Sequence, residues 1–202
     1  MSRTARIPIV LCLLWLTLVG AGFVVLSNYQ TAPGAIGATP PQWPSAAHLA
    51  LDPARPTMIL FAHPRCPCTR STVEELNRIL AQNSAKVSAH VLFFKPAGFS
   101  EKWEKDGLWS SVAAIPGVSV QEDPDGAQAR LFGAQTSGYV VFYNPRGQLL
   151  FKGGITGSRG HAGDNAGEDA VISLLSGQPA SATHTPVYGC SLLNECQKPT
   201  KK

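Results

Sequence analysis

From Ile7 to Leu26 the chain runs twenty residues without a charged side chain. In a helix that length spans about 30 Å, the thickness of a bilayer's hydrocarbon core. Lipid offers the backbone no hydrogen-bond partner, so a single spanning segment has to be helical. The run has no polar face, which argues against a buried helix of a soluble domain. Ser2-Arg3-Thr4-Ala5-Arg6 forms a short basic lead before it. Basic flanks stay in the cytoplasm, so the rest of the chain is expected outside. The run exceeds the apolar core of a signal peptide, and no small-x-small cleavage site follows it. An uncleaved anchor over residues 1–30 is therefore expected, with a cleaved signal peptide as the alternative. No cysteine ends the run, so lipid attachment is not indicated, and Cys12 inside it reads as a small apolar residue. The expected location is the inner, cytoplasmic membrane, crossed once, with the domain on the periplasmic side.

That compartment matters because four cysteines follow: Cys66, Cys68, Cys190 and Cys196. An even count in an oxidising compartment points to two pairs. Sequence proximity favours Cys66 with Cys68, and Cys190 with Cys196 as a structural clasp in the tail. Two other roles remain open for the tail thiols. They form a relay to Cys66, or Cys190 alone reaches the active site as a resolving thiol or ligand.

Cys66-Pro67-Cys68 follows the apolar run Thr57-Met58-Ile59-Leu60-Phe61-Ala62 and precedes a helical pattern from near Thr69. A helix N-terminus carries partial positive charge and free N–H donors, and both favour a thiolate. Arg65 and Arg70 push the same way. Pro67 suits a first helical position. Ser71-x-x-Glu74 or Thr72-x-x-Glu75 fits a capping box a few residues later.

Residues 31–55 are rich in Pro, Gly and Ala and read as an extended linker, with Trp43 either at the membrane interface or docked on the domain. The domain is expected over 56–178 and a cysteine-containing tail over 179–202. Strands are expected at 57–62, 86–94, 118–121, 139–143 and 148–151. Helices are expected to about 82, over 99–114 with Trp103 and Trp109 packed, and over 125–132 and 165–175. Strands alternating with helices, then a hairpin and a closing helix, imply an α/β fold with a central mixed sheet flanked by helices. The net charge of +4 is small, and Lys198, Lys201 and Lys202 supply much of it. No basic stripe interleaves with aromatic residues, so nucleic acid is not an expected partner.

This order, with its cysteines at the end of the first long strand, resembles the thioredoxin-like superfamily, and most of all its membrane-anchored periplasmic TlpA-like and RedB-like redoxins. The residues that carry the resemblance are Phe61-Ala62-His63-Pro64-Arg65-Cys66, Asp123-Pro124-Asp125-Gly126 to Phe132-Gly133, Tyr139 to Gly147, and Gly153-Gly154-Ile155-Thr156. The resemblance implies that Cys66 is the attacking thiol and Cys68 its partner, supported by His63, Arg65, Thr69 and Ser137. Two departures stand out. The family's second cysteine falls where Thr69 stands, and its cis-proline falls at Thr136-Ser137-Gly138.

The expected function is extracytoplasmic thiol–disulfide exchange with a protein thiol or disulfide partner and no cofactor. Residues i and i+2 of a regular helix point apart, so a Cys66–Cys68 bond needs a non-helical Cys66. The alternative is a copper- or zinc-binding module using His63, Cys66 and Cys68, since thiolates with imidazole suit those metals. A thiol peroxidase is a third reading. His161 reads as part of a solvated loop, with Asp164 as the N-cap of the last helix, and Asp123 and Asp125 read as turn and cap residues. His48, His90 and His184 have no supporting neighbours.

Overall fold

The computed structural model describes residues 3–99 and 107–193, with backbone alone for 3–6. The chain divides into two units, Met1–Ala32 and Pro33–Lys202. The first is a single helix, α1 (Arg3–Thr31). Its segment Ile7–Thr31 is long and apolar enough to cross a membrane, with a mean hydropathy of 2.7. Its large apolar side chains are exposed, as a single-pass anchor requires.

The second unit is built on a five-stranded sheet in the order β3-β2-β1-β4-β5. The strands are β1 (Thr57–Ala62), β2 (Ser88–Lys95), β3 (Val118–Pro124), β4 (Tyr139–Tyr143) and β5 (Leu149–Gly153). β1 lies at the centre, parallel to β2 and antiparallel to β4. β3 runs parallel to β2, and β5 antiparallel to β4. The helices are α2 (Pro67–Leu80), α3 (Gly107–Ala113), α4 (Ala127–Phe132) and α5 (Ala166–Leu175). The fold class read from sequence is the one found. The 99–114 helix is described only as α3, and Trp103 lies outside the described residues. Trp109 packs on Phe93, with ring centroids 5.3 Å apart.

Strand residues alternate between two faces, and each face builds its own core. Met58, Leu60 and Ala62 of β1 pack with Val73, Leu76 and Ile79 of α2 and with Ala170 and Val171 of α5. Ile59 and Phe61 point the other way, toward Tyr139, Val141, Tyr143 and Phe132. On that second face the six-residue α4 is too short to cover the apolar surface. Residues from 33 onward, expected to form a linker, complete the cover. Trp43 stacks edge-on against Phe132 and Tyr143 at 5.2 and 5.3 Å. Leu49 is buried. The Tyr143 hydroxyl donates to the Pro40 carbonyl, and the Tyr139 hydroxyl shares a hydrogen bond with Thr39. The segment is a strap on the domain, held because buried tyrosine hydroxyls need partners.

The tail behaves likewise up to residue 193. Val187 and Leu192 are buried in the second core. The Gly34 amide donates to the Val187 carbonyl, so strap and tail also hold each other.

Two capping expectations change. Neither proposed box caps α2; Cys66 is its N-cap, extended at φ −87° and ψ 114°, and Pro67 opens the helix. Glu75 is fully buried and accepts from Arg78 and from the Gly163 amide. Asn165, not Asp164, caps α5, accepting from the Gly167 and Glu168 amides at 3.0 Å. Asp123 keeps its cap role, accepting from the Gln128 and Ala129 amides at 2.8 and 2.9 Å.

Candidate active site

β1 ends at Ala62, and the chain turns through His63, Pro64 and Arg65 before α2 begins. The Cys66 amide donates to the His63 carbonyl at 3.1 Å and closes that turn. Cys66 is thereby set at the helix N-terminus, 3% exposed. The loop before β4 comes alongside, because the Gly138 amide donates to the Phe61 carbonyl at 2.8 Å. Ser137 locks the two loops together. Its Oγ accepts the His63 amide at 2.7 Å and shares a 2.7 Å hydrogen bond with Thr69 Oγ1.

The tail then lays an extended segment over this junction. The Ser137 amide donates to the Cys190 carbonyl at 2.9 Å, and the Leu192 amide to the Gln135 carbonyl at 2.8 Å. Thr136 and Ser191 form an antiparallel bridge. This pairing sets Cys190 Sγ 2.9 Å from Cys66 Sγ, with the Cys190 amide 3.4 Å from the same sulfur. Sequence proximity favours Cys66 with Cys68 and Cys190 with Cys196. In space, a residue 124 positions away meets Cys66. Cys196 lies outside the described residues. Cys68 is half-buried beside Cys66 and Arg159.

The environment separates the thiols. Burial pushes the Cys66 thiol up, but hydrogen bonds from the Cys190 thiol, from Thr69 and from the two backbone amides outweigh it, so its pKa falls below the usual thiol value. Cys190 moves the other way. Burial, the hydrogen bond it gives Cys66 and the negative charge there push its pKa up to about 12. Cys68 is also raised, by burial first and then by the charge on Cys66, with Arg159 opposing. Of the three neighbouring thiols, Cys66 is the one whose pKa is lowered, and it lies in direct contact with Cys190. Thiolates are the nucleophiles of sulfur exchange. Cys66 also lines a shallow cleft with Pro64, Arg65, Arg70 and Leu108.

His63 does not join the sulfurs as a ligand. Its Nδ1 accepts the Arg65 amide at 3.2 Å, and its ring stacks on Phe94 at 5.9 Å. Burial lowers its pKa, and the Arg65 charge adds to that. Among the described residues no group of three His, Cys, Asp or Glu side chains is placed to hold a metal ion. The His63, Cys66 and Cys68 metal set is thus not assembled. His161 is exposed in its loop.

Two residues escaped sequence reading. Arg159 reaches from the loop after β5 and donates through Nη1 to the Gly189 carbonyl. Gly189 crosses so close to the 136–138 loop that a Cβ there would lie 2.0 Å from the Ser137 carbonyl oxygen. A lone arginine in a polar loop and a glycine in a tail carry no distinguishing pattern.

No protein-family model matches the sequence, and no curated protein matches it. Solved structures do. A hypothetical protein from Sinorhizobium meliloti 1021 aligns with a TM-score of 0.57 at 17% identity, over 80% of this chain and 94% of that one. An uncharacterized conserved protein from Geobacillus kaustophilus gives 0.58 at 18% identity, over 85% and 95%. A secreted disulfide oxidoreductase from Mycobacterium tuberculosis, homologous to E. coli DsbE, gives 0.45 at 16%, over 63% and 84%. Parallel β1-β2-β3 on one side, antiparallel β4-β5 on the other and a cysteine where central β1 meets α2 decide the matter. The fold is thioredoxin-like. No cis peptide bond occurs among the described residues, Thr136, Ser137 and Gly138 included. The thiol in contact with Cys66 comes from the tail.

Proposed function

We propose that the chain is a membrane-anchored, extracytoplasmic thiol–disulfide oxidoreductase in which Cys66 attacks and Cys190 resolves. The observation that carries this reading is the 2.9 Å contact between the two sulfurs. The Cys66 thiolate attacks one sulfur of a partner protein's disulfide. A Cys66–partner bond forms, the partner's own S–S bond breaks, and the departing partner sulfur leaves as a thiolate. Cys190 gives up its proton to that thiolate and attacks Cys66 Sγ. The Cys66–Cys190 bond forms, and the second partner sulfur leaves with a proton from solvent. The partner has gained two electrons, and Cys66 with Cys190 has lost two. Run backward, the same atoms oxidise a partner dithiol. The exchange uses sulfur alone and calls for no cofactor. The basic lead before α1 supports placing this site on the periplasmic face of the inner membrane.

Equilibration of the full chain in glutathione buffers, with acid quench and alkylation, tests the reading. A single two-electron transition that is lost in Cys66→Ser and shifted or lost in Cys190→Ser is the expected result. An unaltered transition in Cys190→Ser refutes Cys190 as the partner.

A further inference from the structure

Cys66 has two thiols within its reach, and one side chain touches the surroundings of both. Cys66 is extended rather than helical, which removes the main geometric obstacle to a bond with Cys68, two residues on. Cys190 competes from the tail at 2.9 Å. Arg159 donates to the carbonyl of Gly189, the residue just before Cys190. The same guanidinium lies against the Cys68 thiol. From this arrangement we infer that Arg159 is a positioning residue that selects Cys190 over Cys68 as the partner of Cys66.

The inference rests on the exchange chemistry proposed above and adds what decides its route. Arg159 and the backbone pairing at Ser137 fix the tail on both sides of Gly189 and Cys190. If that hold is lost, the Cys190 sulfur moves off, while Cys68, carried by α2, stays in place. The competing reaction is an internal exchange. A Cys68 thiolate attacks Cys66 Sγ, the Cys66–Cys68 bond forms and the Cys66–Cys190 bond breaks. Cys190 leaves as a thiolate and takes up the proton that Cys68 lost, with no net oxidation. Arg159 acts on this equilibrium by holding the tail in register through the Gly189 carbonyl, and that hold outweighs the help its charge gives the Cys68 thiolate.

Disulfide mapping of the oxidised full chain, in detergent and after acid quench, tests the assignment. Wild type should carry predominantly the Cys66–Cys190 bond. Loss of a charge-assisted hydrogen bond is worth enough to move the partition about tenfold or more. Arg159→Ala should therefore raise the ratio of Cys66–Cys68 to Cys66–Cys190 by about that factor, with Arg159→Lys in between. Gly189→Ala displaces the tail by a separate route, through its clash with the Ser137 carbonyl. It should shift the partition the same way, and it keeps the test open if the arginine variant fails to fold. A lower melting temperature with an unchanged partition in folded Arg159→Ala and Gly189→Ala overturns the inference. Absence of a Cys66–Cys190 bond in wild type instead overturns the proposed function on which it stands.

Discussion

Burial pushes the Cys66 thiol up, and the hydrogen-bond donors around it outweigh that and lower it. The two sulfurs in contact should therefore titrate far apart. Alkylation of the reduced protein by iodoacetamide should show Cys66 reacting at half-maximal rate below the pH of an ordinary thiol. Cys190 should stay slow until the pH nears about 12. In Cys190→Ala the hydrogen bond from the neighbouring thiol is lost, and the Cys66 midpoint should rise. A midpoint that falls or stays fixed would show that the tail does not activate the nucleophile. Ser137 is the second residue under test. It is buried and its one hydroxyl joins the His63 amide and Thr69. Ser137→Ala leaves the buried His63 amide without its acceptor and takes one of its partners from Thr69, at a cost of about 1–3 kcal/mol. Urea unfolding of the reduced protein should report that loss, and a change within error would contradict the locking role.

The strap and the tail segment to residue 193 decide whether the second face of the sheet is covered. Trp43 is half-buried against two aromatic rings. Trp43→Ala should cost about 2 kcal/mol, below the range for a fully buried tryptophan. Thermal unfolding of the full chain checks this, and an unchanged midpoint would mean that the strap is not bound in solution. These elements also mark where sequence reading stopped. The strands were legible because their apolar runs are short, bounded by turn residues and rich in β-branched or aromatic side chains. Cys66 was legible because strand, cysteine and proline meet helix in a fixed order. The strap was not, because Pro-rich segments carry no periodicity, and Trp43, Leu49 and Leu51 are spaced without one. The role of Cys190 is not legible for the same reason. Its partner is set by backbone pairing of the tail with residues 135–137, and long-range pairing of irregular chain leaves no local signature.

At the scale of the whole molecule, an apolar helix and a thioredoxin-like unit follow one another along the chain. The compartment of the domain sets which redox pool its thiols meet. A reporter enzyme active only in the cytoplasm, fused after the last residue, should be silent, and activity would place the domain on the wrong side. The division of labour among the thiols is open to direct capture. When the reduced full chain is mixed with a peptide disulfide, a variant lacking its resolving thiol should accumulate the covalent Cys66–peptide adduct, because the remaining neighbour, Cys68, has a raised pKa and displaces it only slowly. Cys190→Ser should trap that adduct, while Cys68→Ser should clear it at the wild-type rate, as resolved by quenched-flow alkylation and mass spectrometry. An adduct that persists in Cys68→Ser and clears in Cys190→Ser would contradict the assignment of Cys190 as the resolving thiol.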